Sequence, residues 1–374
     1  MTDTIRLMKF LSGVATRSGM GNHAFVVGGA VRDHLLGREI KDVDVVVDSV
    51  NGPLDSEAFG QEIKRAVSAT IATNRFGVAI VTIRSGEFAG EIVEIANARA
   101  ETFEGGSVKG HKPSMVKAAT IKEDVIRRDF TINTLMFKLG DLANGPDGAE
   151  VIDLTGRGVS DLKTMVLRCP SDPDQTFSDD PTRMLRAVKF SARFAAGITN
   201  ETREAIVRNS GKIQDVPFEA AAALFETIVS SSGRRGALSL LVDLGLISNL
   251  DEMLKGSKPF QSRMANFLAT LPVALALEVA SNFHNLDAFP GSFLGDEFGR
   301  FKEIVFSLSD ATAAVFLSSL DKPIINNKVL IDEFCLKGAA CGQLRSKARL
   351  ALLSRPELAG NALALTAAVR ELIS

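Results

Sequence analysis

Two aspartates one residue apart, Asp42 and Asp44 in KDVDVVVD, are the side chains whose spacing points most directly to chemistry. In an extended segment, side chains at i and i+2 face the same way, about 7 Å apart along the backbone. Two carboxylates so placed repel each other and gain nothing from packing. They can, however, hold one or two divalent cations that also grip a nucleoside triphosphate, the arrangement needed to transfer a nucleotide with departure of pyrophosphate. A D-x-D pair also occurs on exposed strand faces with no such role, so the spacing alone leaves both readings open.

Three further groups share that chemistry. Gly28-Gly29 closes the apolar run Ala24-Phe25-Val26-Val27 and opens a helix, a turn where backbone N–H groups can meet phosphate and glycine permits close approach. Arg32, one turn into that helix, reaches toward the same phosphates. RRDFTINTL (127–135) supplies Arg128 for bidentate phosphate contact. In the same segment Asp129 and Asn133 are four residues apart, on one face if the segment is helical, and could bind a ribose.

FSDDPTRMLRAVKFSARF (177–194) places Asp180 before Pro181, the order of an N-cap and a first helical residue, so a helix is expected from Asp180. Arg183, Arg186, Lys189 and Arg193 recur on one face of it. A cation in the first turn opposes the helix dipole by about 0.3–1 kcal/mol, so Arg183 needs another role. A carboxylate only accepts hydrogen bonds and a guanidinium only donates them. Cytosine and adenine both present an amino donor beside a ring-nitrogen acceptor, which Asp180 and Arg183 complement. Guanine and uracil would leave these groups unpaired.

The elements that must position these residues follow from periodicity. Strand, glycine turn and helix over 24–37 lead to a second β-branched strand at 41–48, and strands are expected at 77–84 and 91–99. FEGGSVKGHKPS (103–114) reads as a mobile loop at the substrate entrance. From about residue 177 the pattern is helical throughout. The fold class expected is α+β: a mixed α/β head over 1–150, a helical neck over 151–230 carrying the base-reading helix, and a helical body and tail over 231–374.

At this point the motifs carry a resemblance. GGAVRDHLLGREIKDVDVVV (28–47) resembles the signature of the polymerase-β-type nucleotidyltransferase superfamily, in its class II branch of tRNA CCA-adding enzymes and bacterial poly(A) polymerases. The resemblance implies that Asp42 and Asp44 bind catalytic magnesium (Mg2+), and that Gly28, Gly29 and Arg32 contact triphosphate. RRDxxxN matches Arg128, Asp129 and Asn133 as ribose and nucleotide contacts. The EDxxR motif matches Asp180 and Arg183 as base readers, with Asp179 in place of the usual Glu and with Arg186 and Lys189 as later nucleotide contacts. A third metal carboxylate is implied on a neighbouring strand; Glu94 is the candidate and Glu91 its competitor. The implied substrates are CTP, ATP and the 3′ end of a tRNA or another RNA, selected by the C-terminal half.

The resemblance also has departures. VIDLTGRGVSDL (151–162) matches the family hinge with one residue extra, Arg157 or Gly158, and IQDVPFEAAAALFETI (213–228) lacks an E-R-I helix start. NRFGVA (74–79) looks more like CCA-adding members than the basic pair of poly(A) polymerases. Poly(A) or A-only addition stays as the alternative, and a catalytically silent RNA-binding protein as a remoter one.

Composition narrows the classes. In 374 residues the formal net charge is −2, too few cations for a protein that coats nucleic acid indiscriminately. Trp and Tyr are absent and Phe occurs 23 times, so stacking on bases would fall to Phe, His or Arg. Cys169, Cys335 and Cys341 show no ligand spacing, and none of His23, His34, His111 and His284 is followed by Asp, which removes zinc-site and HD-hydrolase readings. No apolar run is long enough to span a membrane, which predicts a cytoplasmic protein, and no protein partner is implied.

Overall fold

The computed structural model describes residues 3–74, 76–102 and 115–256, with single positions at 279 and 367. The chain divides into two compact units, residues 1–246 and 247–374. The first begins with α1 (Asp3–Arg17), whose buried Leu7, Met8, Leu11, Val14 and Ala15 recur at helical spacing. There follow β1 (Ala24–Val27), α2 (Gly29–Leu35), β2 (Asp44–Val47), α3 (Ser56–Ala66), β3 (Ala69–Thr73), β4 (Val78–Ile83) and β5 (Ile92–Asn97). Next come β6 (Arg99–Thr102), β7 (Met115–Ala118), α4 (Ile121–Ile126) and β8 (Met136–Lys138).

A six-stranded sheet runs β3-β4-β5-β2-β1-β8. All its pairings are antiparallel except β2 with β5, which is parallel. β1 has every residue buried between β2 and β8, while β4, between β3 and β5, buries alternate residues beneath α3. Asp55 caps α3 by accepting from Ala58 N at 2.8 Å, and Gly60 brings that helix against Val81, where a Cβ would lie 3.3 Å from the Val81 side chain. On the other face Phe25, Val27, Val46, Ile121, Val125 and Met136 pack as one cluster, which seats α4 on the sheet face that also carries Asp44.

Helical structure then dominates: α5 (Gly158–Lys163), β9 (Val166–Leu167), α6 (Pro173–Asp179), α7 (Thr182–Phe194), β10 (Gly197–Ile198), α8 (Asn200–Asn209), α9 (Phe218–Val229), α10 (Arg234–Asp243) and α11 (Leu246–Gly256). The mixed head followed by helices is the expected α+β class. The only strands beyond the head among the described residues are the short parallel pair β9 and β10.

Three local expectations are corrected. The strand expected over 91–99 breaks at Ala98, whose amide bonds back to Val47 O, so that β5 and β6 join different sheets. The helix expected from Asp180 starts at Thr182, because Asp180 ends α6 in an extended conformation before Pro181 turns the chain. Asp129 and Asn133 do not share a helix: α4 stops at Ile126, and a short 3-10 turn covers Thr131–Asn133. The entrance loop 103–114 lies outside the described residues, as does most of the RNA-selecting body and tail expected over 231–374, of which residues 231–256 are described.

Candidate active site

Asp44 opens β2, and Asp42 stands two residues ahead of it, just outside the strand. Both are exposed while Val43 between them is buried, so the alternation expected of a strand holds through the approach to it. Register then brings Glu94 beside Asp44, because the two are paired Cα partners on parallel strands. Adjacent strands lie about 4.8 Å apart, and both side chains are on the exposed face. Glu91 lies before β5 begins and pairs with nothing on β2.

The electrostatics agree with that grouping. The Asp44 carboxyl is pushed above the usual carboxylate range, first by desolvation in the cleft and then by Glu94 and Asp42, with Arg128 opposing. A divalent cation is the group such mutual repulsion suits. The donors are all carboxylate oxygens, a hard set fitted to magnesium or calcium. Among the described residues no three His, Cys, Asp or Glu side chains are already gathered at ligand distance.

A cleft of about 400 Å³ opens beside Asp44, lined by Gly28, Gly29, Arg32, Arg128, Asp129, Asn133, Asp180, Arg183 and Arg186, with Arg127 and Phe190. Residues from three separate sequence segments therefore meet in one cavity of nucleotide size. Asp42, Glu94 and Lys189 are not part of its lining.

Gly28 makes the turn from β1 to α2 at φ 65°, a conformation costly for residues with a Cβ, and its N–H bonds to Leu135 O at 3.2 Å. Its contribution is conformation and close approach. The amides open to an anion belong to the helical turn after it.

Arg32, 4% exposed, places Nη1 2.6 Å from Asn133 Oδ1 and Nε 2.8 Å from Asp33 Oδ1. Its guanidinium also lies 4.8 Å from the Phe194 ring centre. Desolvation lowers its pKa, with Asp33 opposing.

Asp129 is held on all sides. Oδ1 accepts from Phe130 N at 2.8 Å and Asn133 Nδ2 at 3.0 Å, and Oδ2 accepts from Arg186 Nε at 2.7 Å. Burial would raise its pKa, but Arg186 and these hydrogen bonds hold it below the ordinary value. Asp129 and Asn133 thus meet through a loop and a 3-10 turn in place of the expected shared helix, and bond to each other.

Arg128 is aimed by Asp124, which the sequence reading did not single out. Asp124 Oδ2 accepts from Arg128 Nη2 at 2.9 Å, Oδ1 accepts from Arg127 Nη2 at 2.5 Å, and the Asp124 side chain is 2% exposed. The signal was present as an i, i+4 spacing on an acidic helix start. The hinge segment packs under the same region. A Cβ on Gly158 would lie 2.7 Å from Thr131 O, so that glycine is required where it sits, while Arg157 is exposed.

Asp180 Oδ1 accepts from Thr182 N at 3.0 Å and Thr182 Oγ1 at 2.6 Å, so it bonds to the first residue of α7, while the N-cap position expected for it is held by Pro181. Its Oδ2 lies 3.7 Å from Arg183 Nε. Arg183 Nη1 bonds to Thr176 O at 3.3 Å, and Nη2 has no partner among the described residues. An acceptor oxygen and a donor nitrogen therefore stand side by side at the cleft, the pairing that an amino group beside a ring nitrogen requires.

Lys189 faces Arg32, Arg186 and Arg193, and its pKa is lowered by partial burial and then by Arg186 and Arg193.

Known proteins resemble this chain over the segment that carries most of these residues. Residues 24–168, which include Asp42, Asp44, Glu94 and the RRD segment, match the family model of the Poly A polymerase head domain. That segment belongs to this family. Across 244 residues the chain is 31% identical to the CCA-adding enzyme of Anoxybacillus flavithermus, covering 65% of this chain and 55% of that protein. Over 216 residues it is 34% identical to poly(A) polymerase I of Escherichia coli O157:H7, covering 55% of this chain and 41% of that protein. The chain thus spans about half the length of the curated relatives it matches. Among solved structures, the Thermotoga maritima CCA-adding enzyme complexed with tRNA-CCA superposes with a TM-score of 0.56 at 21% identity, covering 98% of this chain and 95% of that one. That likeness is one of fold. The Poly A polymerase head family is one of metal-dependent nucleotidyltransferases, and the matched segment ends one residue after β9. No described helix is long and apolar enough to cross a membrane.

Proposed function

We propose that the protein is a template-independent nucleotidyltransferase that extends an RNA 3′ end, adding CMP and AMP from CTP and ATP to tRNA. The observation that carries this reading is the pairing of Asp44 with Glu94 at the edge of a cleft that also holds the glycine turn, Arg128 and the Asp180–Arg183 pair. Asp42, Asp44 and Glu94 would hold magnesium, which when bound would lower the pKa of the attacking hydroxyl and neutralise the departing pyrophosphate. The chain's own groups do the remaining work. The amides after Gly28 and the Arg128 guanidinium bind the triphosphate. Asp180 and Arg183 accept and donate to the base edge, so that the protein takes the place of a template. Asp129 and Asn133, engaged with each other and with Arg186, set the shape of the ribose-side wall. A cytoplasmic setting is the one these substrates imply.

Poly(A) addition is the second reading, favoured by the identity to poly(A) polymerase I. Incubating the protein and magnesium with tRNA lacking its CCA end, with CTP and ATP separately and together, separates the two. Addition of two CMP followed by one AMP is expected. ATP-only growth of long tails would overturn the CCA assignment.

A further inference from the structure

Arg186 and Arg193 are seven residues apart on α7, two helical turns, and so point from one stripe about 10 Å apart along the axis. Each meets a buried carboxylate on a different element of the head. Arg186 pairs with Asp129 at 2.6 Å, and Arg193 with Asp33 at 3.3 Å. The two carboxylates are joined by a buried chain. Asp33 holds Arg32, Arg32 holds the side-chain oxygen of Asn133, and Asn133 donates to Asp129. Asp33, Arg32, Asn133 and Asp129 are 5%, 4%, 6% and 5% exposed. Phe190, between the two pins on the helix, lies 5.4 Å from the Arg32 guanidinium and stacks on Phe194.

One pin would let α7 roll and slide about it; two fix both motions. The base-reading pair lies at the N-terminal end of the same helix, so any roll of α7 moves Arg183 against the base edge. We infer that Asp33 and Arg193 are positioning residues for nucleotide selection, forming the second of two pins that fix the rotation of the base-reading helix on the head. The inference rests on the reading of Asp180 and Arg183 as base readers. Neither Asp33 nor Arg193 needs to touch substrate. Their effect is on which base is accepted.

The test is the ratio of kcat/KM for ATP and CTP over GTP and UTP, in R193A, R193K, D33N and the D33N/R193A double variant. In R193A the ratio is expected to fall about tenfold, mainly through the KM of the wrong nucleotides, because groups in one network couple. Arg193 is 39% exposed on its side chain, so the melting temperature should move little. R193K should restore part of the ratio, and the double variant should be no less selective than D33N. An unchanged ratio, or an equal loss for all four nucleotides, would overturn the inference. Hydrogen exchange along α7 reads the pin without catalysis: faster exchange over 182–194 in R193A is expected, and unchanged exchange counts against the pin. An inactive wild-type protein with that faster exchange would sink the functional reading and leave the pin standing.

Discussion

Replacing Asp124 by Asn tests whether Arg128 is aimed by a buried carboxylate. Asp124 sits 2% exposed with both oxygens engaged, one by Arg127 and one by Arg128, and it also accepts from Arg99 N at 3.3 Å. Asn keeps the shape but removes the charge and one acceptor. Breaking a buried pair by deleting one partner costs roughly 3–5 kcal/mol. Here Arg127 and Arg128 are 24% and 17% exposed and can recover some hydration, which moves the estimate down to about 2–3 kcal/mol. For a unit of this size that is a drop in Tm of roughly 5–10 °C. With Arg128 free to turn away from the triphosphate, kcat/KM for CTP and ATP should fall by on the order of 100-fold.

The pH dependence gives an independent check. Desolvation raises the Asp124 pKa, but Arg128 and then Arg127 outweigh it and the net shift is downward. A depressed carboxyl contributes stability that is present above its unfolded value, about 3.9, and is lost as pH falls through the folded one. The stability gap between wild type and D124N should therefore be constant near neutral pH and close below about pH 4. Thermal melts from pH 3 to 7, with primer extension at neutral pH, make the measurement. A Tm within 1 °C of wild type, or an unchanged KM for nucleotide, would refute the reasoning.

Three other outcomes are expected. Asp44→Asn should abolish incorporation while leaving the Tm unchanged or higher, because it relieves repulsion from Glu94 and Asp42; primer extension and a melt decide it, and retained activity would remove Asp44 from the metal site. Glu94→Gln should raise the magnesium concentration needed for half-maximal activity, whereas Glu91→Gln should not, since only Glu94 is in register with Asp44. Gly28→Ala forces a Cβ into φ 65° and to 3.4 Å from Arg128 Nη1. It should cost about 1–3 kcal/mol in denaturant unfolding and weaken nucleotide binding with it.

By itself the sequence determined the chemistry: which side chains can hold a cation, meet phosphate or complement a base edge. It also determined local elements wherever periodicity was unbroken, as in β1, which spans the expected run. The tertiary structure decided who is next to whom. Glu94 over Glu91 is a matter of strand register, which depends on pairing between segments some fifty residues apart. Asp129 and Asn133 meet although no helix joins them, because the turn between them is shaped by packing on Gly158 and Thr131. Asp33 acquired its role only in three dimensions, and Asp124, whose i, i+4 spacing to Arg128 was visible, gained there the burial that gives the pair its strength. A carboxylate beside an arginine in sequence says nothing of what a second arginine, from a helix 160 residues away, will do to it. Local propensity and donor–acceptor chemistry are carried by neighbouring residues, but burial, which gives a buried charge pair its strength, belongs to the folded chain alone.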